Sequence, residues 1–287
     1  MSVQVIDTID ELQARVASTR FLEKVVGLVP TMGALHAGHV GLIDRAVDDC
    51  DLVIVSLFIN PTQFNQQDDF DRYPRIIEDD LAVCEKCGVD ILFAPATEEM
   101  YTGQECTTVD VTNLTDHLCG PERPGHFRGV ATVVVKLLNI SRADRAYFGE
   151  KDAQQLAVIK RAVEDLNIPT EIVPVPTVRE DDGLACSSRN QHLTVEDRKN
   201  ATMLYRALVA AKDAIAMGEQ NTEVVTRIAC EYFKNQPRTR VEYFEIVDPS
   251  DMQPLKVIQG PVCVATAVWI GQTRLIDNIL CCPDKRD

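Results

Sequence analysis

Two histidines three residues apart open the chemical reading of this chain. His36 and His39 lie in the run Pro30-Thr31-Met32-Gly33-Ala34-Leu35-His36-Ala37-Gly38-His39. The run follows a short apolar stretch, Lys24 to Val29, and precedes Val40, Ile43 and Val47 at helical spacing. That order predicts a strand, a turn and the start of a helix. A helix start carries unpaired N–H groups and the positive end of the helix dipole, which together seat a phosphate. Gly33 and Gly38 allow close backbone approach, and two imidazoles at this place can both donate hydrogen bonds to a bound anion. The chain has 5 histidines, so a pair within one tetrapeptide is a concentration. The plain alternative is a pair of surface histidines beside a helix cap. Neither the P-loop pattern G-x-x-x-x-G-K-[ST] nor the dinucleotide pattern G-x-G-x-x-G occurs in the sequence.

Other segments carry weaker signals. In Cys186-Ser187-Ser188-Arg189-Asn190, two hydroxyls and a guanidinium on a turn can hold phosphate oxygens, although the composition is common in loops. Gly149-Glu150-Lys151-Asp152 offers a cation after another short apolar run, and its plain alternative is a solvated helix start. Asp79 and Asp80, with Glu78 adjacent, are the metal candidates. Mg²⁺ takes one or two carboxylates and completes its shell with phosphate and water. An acidic first helical turn has the same composition for dipole reasons. Cys84-Glu85-Lys86-Cys87 has metal-ligand spacing, but no second C-x-x-C pair completes the four ligands of structural zinc. It reads as a structural or surface pair, as does Cys281-Cys282.

These residues need elements to position them. Leu52 to Ile59 is a continuous strand-like run stopped by Asn60-Pro61. Ile76 to Cys87 reads as a helix closed by Gly88, and Asp90 to Phe93 as a strand. Arg145 to Phe148 and Ile172 to Val175 read as strands. Leu156, Ile159, Val163 and Leu166 mark the helix between them. Val130 to Ile140 fits either a strand or one helical face, and its length favours helix. Strands apolar on both faces, alternating with helices, predict an α/β fold with a parallel sheet covered on both sides.

The texture changes after a boundary near Thr177 to Gly183. Thr194 to Met217 and Asn221 to Asn235 read as helices. Arg240 to Val247, Val262 to Ile270 and Arg274 to Ile276 read as strands, with a turn at Gly271-Gln272. Helices followed by paired strands predict a second, smaller α+β domain. The expected division is 1–177 and 178–287.

Composition sets the outer limits. The 287 residues carry 29 Lys and Arg against 44 Asp and Glu, a net charge of −15. That balance speaks against broad attraction to nucleic acid or to an anionic membrane. A 45% hydrophobic content is enough for real cores. The start of the chain lacks the basic and apolar segments of a signal peptide, and no apolar run approaches a membrane span. A cytoplasmic protein with 10 unpaired cysteines is the expectation.

Together, the H-x-G-H run and the Ser-Ser-Arg segment resemble the paired signatures of the nucleotidylyltransferase and class I synthetase superfamily. A narrower resemblance is to the pantothenate synthetase (pantoate–β-alanine ligase) family. It is carried in order by Val29 to His39, Asn60-Pro61-Thr62-Gln63-Phe64, Asp69-Phe70-Asp71-Arg72-Tyr73-Pro74-Arg75 and Arg123-Pro124-Gly125-His126-Phe127-Arg128-Gly129-Val130. Tyr147 to Asp152, Pro176-Thr177-Val178-Arg179-Glu180, Ser187 to Asn190 and Arg274-Leu275-Ile276-Asp277-Asn278 continue it. The blocks cover nearly the whole chain.

The resemblance implies a Rossmann-like, doubly wound parallel sheet and a smaller lid domain. It implies a two-step reaction. Pantoate carboxylate attacks the α-phosphorus of ATP, releasing pyrophosphate with Mg²⁺ assistance, and β-alanine amine then attacks the acyl adenylate, releasing AMP. ATP would touch Pro30, Thr31, Met32, Gly33, Ala34, Leu35, His36, Gly38, His39, Gly149, Glu150, Lys151, Asp152, Val178, Cys186, Ser187, Ser188 and Arg189. His36 and His39 would stabilise charge on the leaving pyrophosphate, with His39 the proton donor, and Lys151 would supply charge to the phosphates. Gln63 and Gln155 match the family's pantoate ligands, with Asn60 and Phe64 shaping that pocket. Arg123 and His126 would serve β-alanine. A homodimer is implied by family alone.

Two departures stand out: Cys186 occupies a place where the family often has Met or another apolar residue, and Ala153 one where an aromatic is frequent. Two other readings stay open at this stage. One is a different nucleotidylyltransferase of the superfamily, and the other is an idle binding protein that kept the fold. Gln63 with Gln155 discriminates the first, and the intact phosphate-facing residues speak against the second. In the leading reading His36, His39, Arg123, Lys151 and Arg189 concentrate positive charge in one cleft of an acidic chain.

Overall fold

The computed structural model describes residues 2–65, 70, 71, 73 and 76–283. Asp69, Arg72, Pro74 and Arg75 of the sequence motif lie outside the described residues. The chain forms two compact units. One comprises Met1–Val111, Arg123–Glu150 and Val158–Pro176; the other comprises Thr112–Glu122, Lys151–Ala157 and Thr177–Asp287. Two short segments on the amino-terminal side of Thr177 therefore belong with the carboxyl-terminal residues.

The first unit is built on strands β1 (Gln4–Ile6), β2 (Val26–Thr31), β3 (Leu52–Leu57), β4 (Ile91–Phe93), β5 (Arg145–Gly149) and β6 (Glu171–Val175). They form one sheet in the order β1-β4-β3-β2-β5-β6. Every pairing is parallel. Helices α1 (Ile9–Phe21), α2 (Ala37–Asp49), α3 (Ile77–Cys87), α4 (His126–Ser141) and α5 (Ala153–Asp165) connect the strands. Residues Leu52 to Ser56 of β3 are all buried, so the sheet is covered on both faces, as an all-parallel sheet must be. This is the predicted Rossmann-like architecture.

The strand order reverses beside β2. The chain moves from β2 to β3 on one side and later places β5 on the other. Parallel strands end at the same edge, and in open α/β sheets ligands gather at the carboxyl edge where the order reverses. The carboxyl ends of β2 and β5 carry the Met32–His39 turn and the Gly149–Glu150 turn.

The second unit has a three-stranded antiparallel sheet, β7 (Thr239–Val247), β8 (Val262–Ile270) and β9 (Thr273–Cys281), in that order. Helices α6 (Val195–Ala201), α7 (Met203–Ala216) and α8 (Thr222–Cys230) accompany it. Leu204, Ala207, Leu208, Ala211 and Ile215 of α7 share a core with Val264, Val268, Ile270 and Leu275. This is the predicted α+β texture.

Several element readings shift. Val130 to Ile140 lies within α4, as its length suggested. The run Thr194 to Met217 is two helices, divided at Thr202. The last strand continues beyond Ile276 to Cys281, bringing Asp277 and Asn278 into the sheet. Strand β1 and helix α1 were not expected. Helix α1 buries only Leu12, Val16 and Thr19, so its periodicity is faint. Among the described residues, no helix is long and apolar enough to cross a membrane.

Candidate active site

The turn after β2 is shaped by three local devices. Thr31 Oγ1 donates to Ser56 O at 2.8 Å and accepts from Gly33 N at 3.2 Å. Gly33 has φ +84° and Ala34 φ +53°, so two successive residues take the left-handed region. Successive amides in such a turn converge into an anion-binding concavity. Here the anion is internal. Asp80 Oδ2 accepts from Ala34 N at 3.0 Å and Asp80 Oδ1 from Leu35 N at 2.7 Å. A Cβ on Gly33 would lie 2.8 Å from Asp80 Oδ2, so glycine is needed for space as well as for φ.

Asp80 is 3% exposed, whereas Asp79 faces solvent. Among the described residues no group of three or more His, Cys, Asp or Glu side chains could hold a metal. Both Asp80 oxygens already bind amides, so the donor set lacks a ready protein cage. Asp79, the exposed carboxylate of the pair, has no such internal partner among the described residues.

His36 and His39 do cap helix α2, and in doing so they fix their own rings. His36 Nδ1 accepts from Gly38 N at 3.1 Å, and His39 Nδ1 accepts from His36 N at 3.3 Å. The ring centroids are 4.1 Å apart with planes inclined by 39°. An Nδ1 that accepts carries no hydrogen, so the neutral tautomer of each ring bears it on Nε2. Capping thus uses Nδ1 of each ring and leaves the ring hydrogen on Nε2.

A second group surrounds Gln63, in the short turn Pro61–Gln63. Asn60 is 1% exposed and fully occupied. Its Nδ2 donates to Gly129 O at 3.1 Å and to Gln63 Oε1 at 3.2 Å. Its Oδ1 accepts from Thr62 Oγ1 at 2.9 Å and Tyr101 OH at 3.1 Å. Gln63 is buried, with its Nε2 against Met32 Sδ. Phe64 meets Phe70 and Tyr73 edge-on, with centroids 5.3 and 5.8 Å away.

Arg123 and His126 meet each other and the same turn. His126 Nδ1 lies 2.8 Å from Gln63 O, and its Nε2 lies 3.0 Å from Arg123 Nη1. A carbonyl only accepts and a guanidinium only donates, so Nδ1 carries the hydrogen and Nε2 accepts. Helix α4 approaches closely enough that a Cβ on Gly129 would lie 2.4 Å from Thr62 O.

In the second unit, the Ser-Ser-Arg segment leaves a tight hairpin. Cys186 N donates to Val178 O at 2.9 Å, and Glu180 N to Leu184 O at 2.8 Å. Ser187 Oγ accepts from Arg189 N at 3.3 Å, which starts the short helix Ser188–His192. Burial pushes the Cys186 thiol up, Glu180 pushes it the same way, and the Lys151 charge pulls it down. Lys151 and Cys186 therefore share an electrostatic neighbourhood. Asp152, Ala153 and Gln155 are half-buried and follow Lys151 in sequence.

The adjacent glutamine, Gln154, was not anticipated. It is buried, accepts from Cys119 N at 3.0 Å and donates to Leu114 O at 2.9 Å and His117 O at 2.8 Å. Of the five expected cations, His36, His39 and Arg123 lie in the first unit, Lys151 and Arg189 in the second. Cys84, Cys119, Cys263 and Cys281 are buried, whereas Cys106 and Cys282 are exposed. Burial pushes the Cys84 thiol up to about 12 and Cys263 to about 12.

The sequence profile of the pantoate–β-alanine ligase family matches residues 4–280. The chain belongs to the pantoate–β-alanine ligase family. It is 51% identical over 278 residues to the pantothenate synthetase of Moorella thermoacetica, covering 97% of this chain and 98% of that one. To the pantothenate synthetase of Clostridium novyi it is 54% identical over 255 residues, 89% of this chain and 90% of that one. The crystal structure of pantothenate synthetase from Thermus thermophilus superposes with a TM-score of 0.91 at 44% identity, covering 96% and 99%. A pantoate–β-alanine ligase from Francisella tularensis, solved in complex with Beta-gamma ATP and Beta-alanine, has a TM-score of 0.80 at 35% identity, covering 97% and 98%. The chain is accordingly an ATP-dependent ligase that joins pantoate to β-alanine through an amide bond. A nucleotide-only transferase and an idle binding protein no longer compete.

Proposed function

We propose that the residues described above divide the two steps as follows. His36 and His39 direct Nε2–H toward the ATP phosphates. As the pantoate carboxylate oxygen bonds to the α-phosphorus, the bond to the bridging oxygen breaks and charge accumulates on pyrophosphate. Donors already oriented there lower the barrier without reorganising. Lys151, Ser187, Ser188 and Arg189 serve the same phosphates, and Gly149, Glu150, Asp152, Val178 and Cys186 shape their surroundings. The observation that carries this reading is the pair of Nδ1 caps, which commits both rings to one tautomer.

Gln63 and Gln155 bind pantoate. Their neutral amides donate and accept without adding charge, which suits hydroxyls beside a carboxylate. Arg123 offers a guanidinium to the β-alanine carboxylate while His126 holds it in place. The β-alanine nitrogen then attacks the acyl carbon, and AMP leaves with the former carboxylate oxygen. Mg²⁺ supplies charge neutralisation when it enters with ATP, with Asp79 as its protein carboxylate. Asp80 contributes by holding the turn. The net charge of −15 supports small-molecule partners over nucleic acid or membrane. A cytoplasmic homodimer is the working form that the family resemblance supports.

The direct test measures AMP release with ATP, Mg²⁺, pantoate and β-alanine, omitting each in turn. Pyrophosphate exchange into ATP that needs pantoate but not β-alanine supports the adenylate step. Exchange that requires β-alanine rejects it.

A further inference from the structure

Two motifs shared with the family have no task in the two steps above: Val178-Arg179-Glu180, apart from Val178 itself, and Asp277-Asn278. The structure joins them. Asp277 is 3% exposed, and Arg179 grips it with two nitrogens, Nη1 to Oδ2 at 2.6 Å and Nη2 to Oδ1 at 3.0 Å. Arg179 also donates to Gly183 O at 3.0 Å and to Asn278 O at 3.3 Å. Its guanidinium lies over the Tyr205 ring, 4.3 Å from the centroid. All of these contacts fix the hairpin whose far strand runs into Cys186 and Ser187.

The next residue reaches a different segment. Asn278 is 7% exposed and donates through Nδ2 to Lys151 O at 2.8 Å. Successive side chains on a strand point to opposite faces, so two neighbours can grip two separate stretches of chain. A lysine ammonium sits on a flexible stem and takes its place from where its backbone is anchored. Buried pairs of this kind also stabilise, but these two end on the backbone of Lys151 and on the hairpin that leads into Ser187 to Arg189.

We propose that Asp277 and Asn278 are positioning residues for adenylation. Asn278 sets Lys151 through the Lys151 carbonyl, and Asp277 sets Ser187 to Arg189 through Arg179. The proposal rests on the phosphate-facing role given above to Lys151 and Arg189.

The test is a double-mutant cycle read by pantoate-dependent pyrophosphate exchange, with melting temperature measured in parallel. Asn278→Ala is expected to slow exchange by about 10–50-fold, the scale of a misplaced catalytic group. In a Lys151→Ala background the same substitution is expected to cost less than about twofold, because residues acting as a unit are not additive. Asp277→Asn paired with Arg189→Ala follows the same logic. Should either fail to fold, Asn278→Asp and Arg179→Lys replace them. Lys151→Ala within a few-fold of wild type would show the site assignment to be wrong, and the proposal would go with it. A severe Lys151→Ala to which Asn278→Ala adds its full cost would keep that assignment and overturn the positioning role. Lower melting temperature with unchanged exchange would overturn it as well.

Discussion

The Asp80 carboxylate accepts the Leu35 amide at 2.7 Å and, through its other oxygen, the amide of Ala34. A residue in the first turn of α3 thus holds the turn that presents His36 and His39. The turn contains two left-handed residues, which a surrounding structure must hold in place. Hydrogen bonds to a charged acceptor are well suited to that task.

Removing that acceptor should therefore damage catalysis from a distance. Asp80→Asn keeps one accepting oxygen but sets an NH₂ against the other amide. We expect about a tenfold loss of adenylation rate. Asp80→Ala removes both acceptors, and a loss of about 10²-fold is expected, the scale of an ångström-sized displacement. Asp79→Ala should leave the melting temperature unchanged and raise the Mg²⁺ concentration needed for half-maximal rate. Equal effects of Asp80→Ala and Asp79→Ala on Mg²⁺ dependence would contradict the division of roles.

His39 caps a helix, and its proposed role in the reaction can be separated from that cap. Glutamine is favoured three residues after a helix cap, where it accepts the same backbone N–H. His39→Gln should keep the cap and hold stability within about 1 kcal/mol of wild type. It should still lose about 10²–10³-fold in adenylation rate, the usual scale for one charge-stabilising donor. Thermal melts alongside pyrophosphate exchange decide it. A rate within a few-fold of wild type removes His39 from the mechanism.

Gly129 sets helix propensity against packing. Within a helix, Gly→Ala is favourable by about 1 kcal/mol on propensity alone. At Gly129 the new Cβ would lie 2.4 Å from Thr62 O and 2.9 Å from Gln63 N, and backbone atoms cannot step aside as a side chain can. Overpacking at about 1–3 kcal/mol should win. Gly129→Ala is expected to lower the melting temperature and raise KM for pantoate more than KM for ATP. A higher melting temperature would show that α4 moves freely.

Glu245 makes stability depend on pH. Burial raises its carboxyl above the ordinary carboxylate range, against the lowering by His117 and a backbone hydrogen bond from Leu118, and its Oε2 has no hydrogen-bond partner. A carboxyl raised in the folded state contributes stability below its unfolded pKa and loses it as pH rises through the folded value. Above that value the buried charge is a burden that Gln would not carry. Glu245→Gln should therefore raise the melting temperature at pH 8, by about 2 °C for a chain of this size. The gain should vanish near pH 4. Denaturation scans at both values check the sign.

Much of the site could be read from residue types alone. The run Pro30 to His39 announced a turn between a strand and a helix. Composition and order announced the parallel sheet, and the lack of a second C-x-x-C pair set aside Cys84 and Cys87 as metal ligands. Local pattern carried these readings because each depends on neighbours within a few residues. Helix α1 escaped because it buries a narrow stripe.

Other assignments needed the folded chain. Asp80 and Asp79 are equivalent in sequence, both acidic in a first helical turn, and only the rotation of α3 turns one inward to Leu35. Gln154 and Gln155 are likewise alike, but adjacent helical residues face directions about 100° apart, so Gln154 is buried against 114–119 while Gln155 is only half-buried. Asp277 and Asn278 appeared as a motif with no task until β9 brought them to Arg179 and Lys151. The sequence by itself determined the chemistry available and the elements that carry it, because residue type and period are local properties. Which carboxylate anchors, which amide is spent internally and which nitrogen of His126 keeps its hydrogen were decided by contacts between residues far apart in the chain.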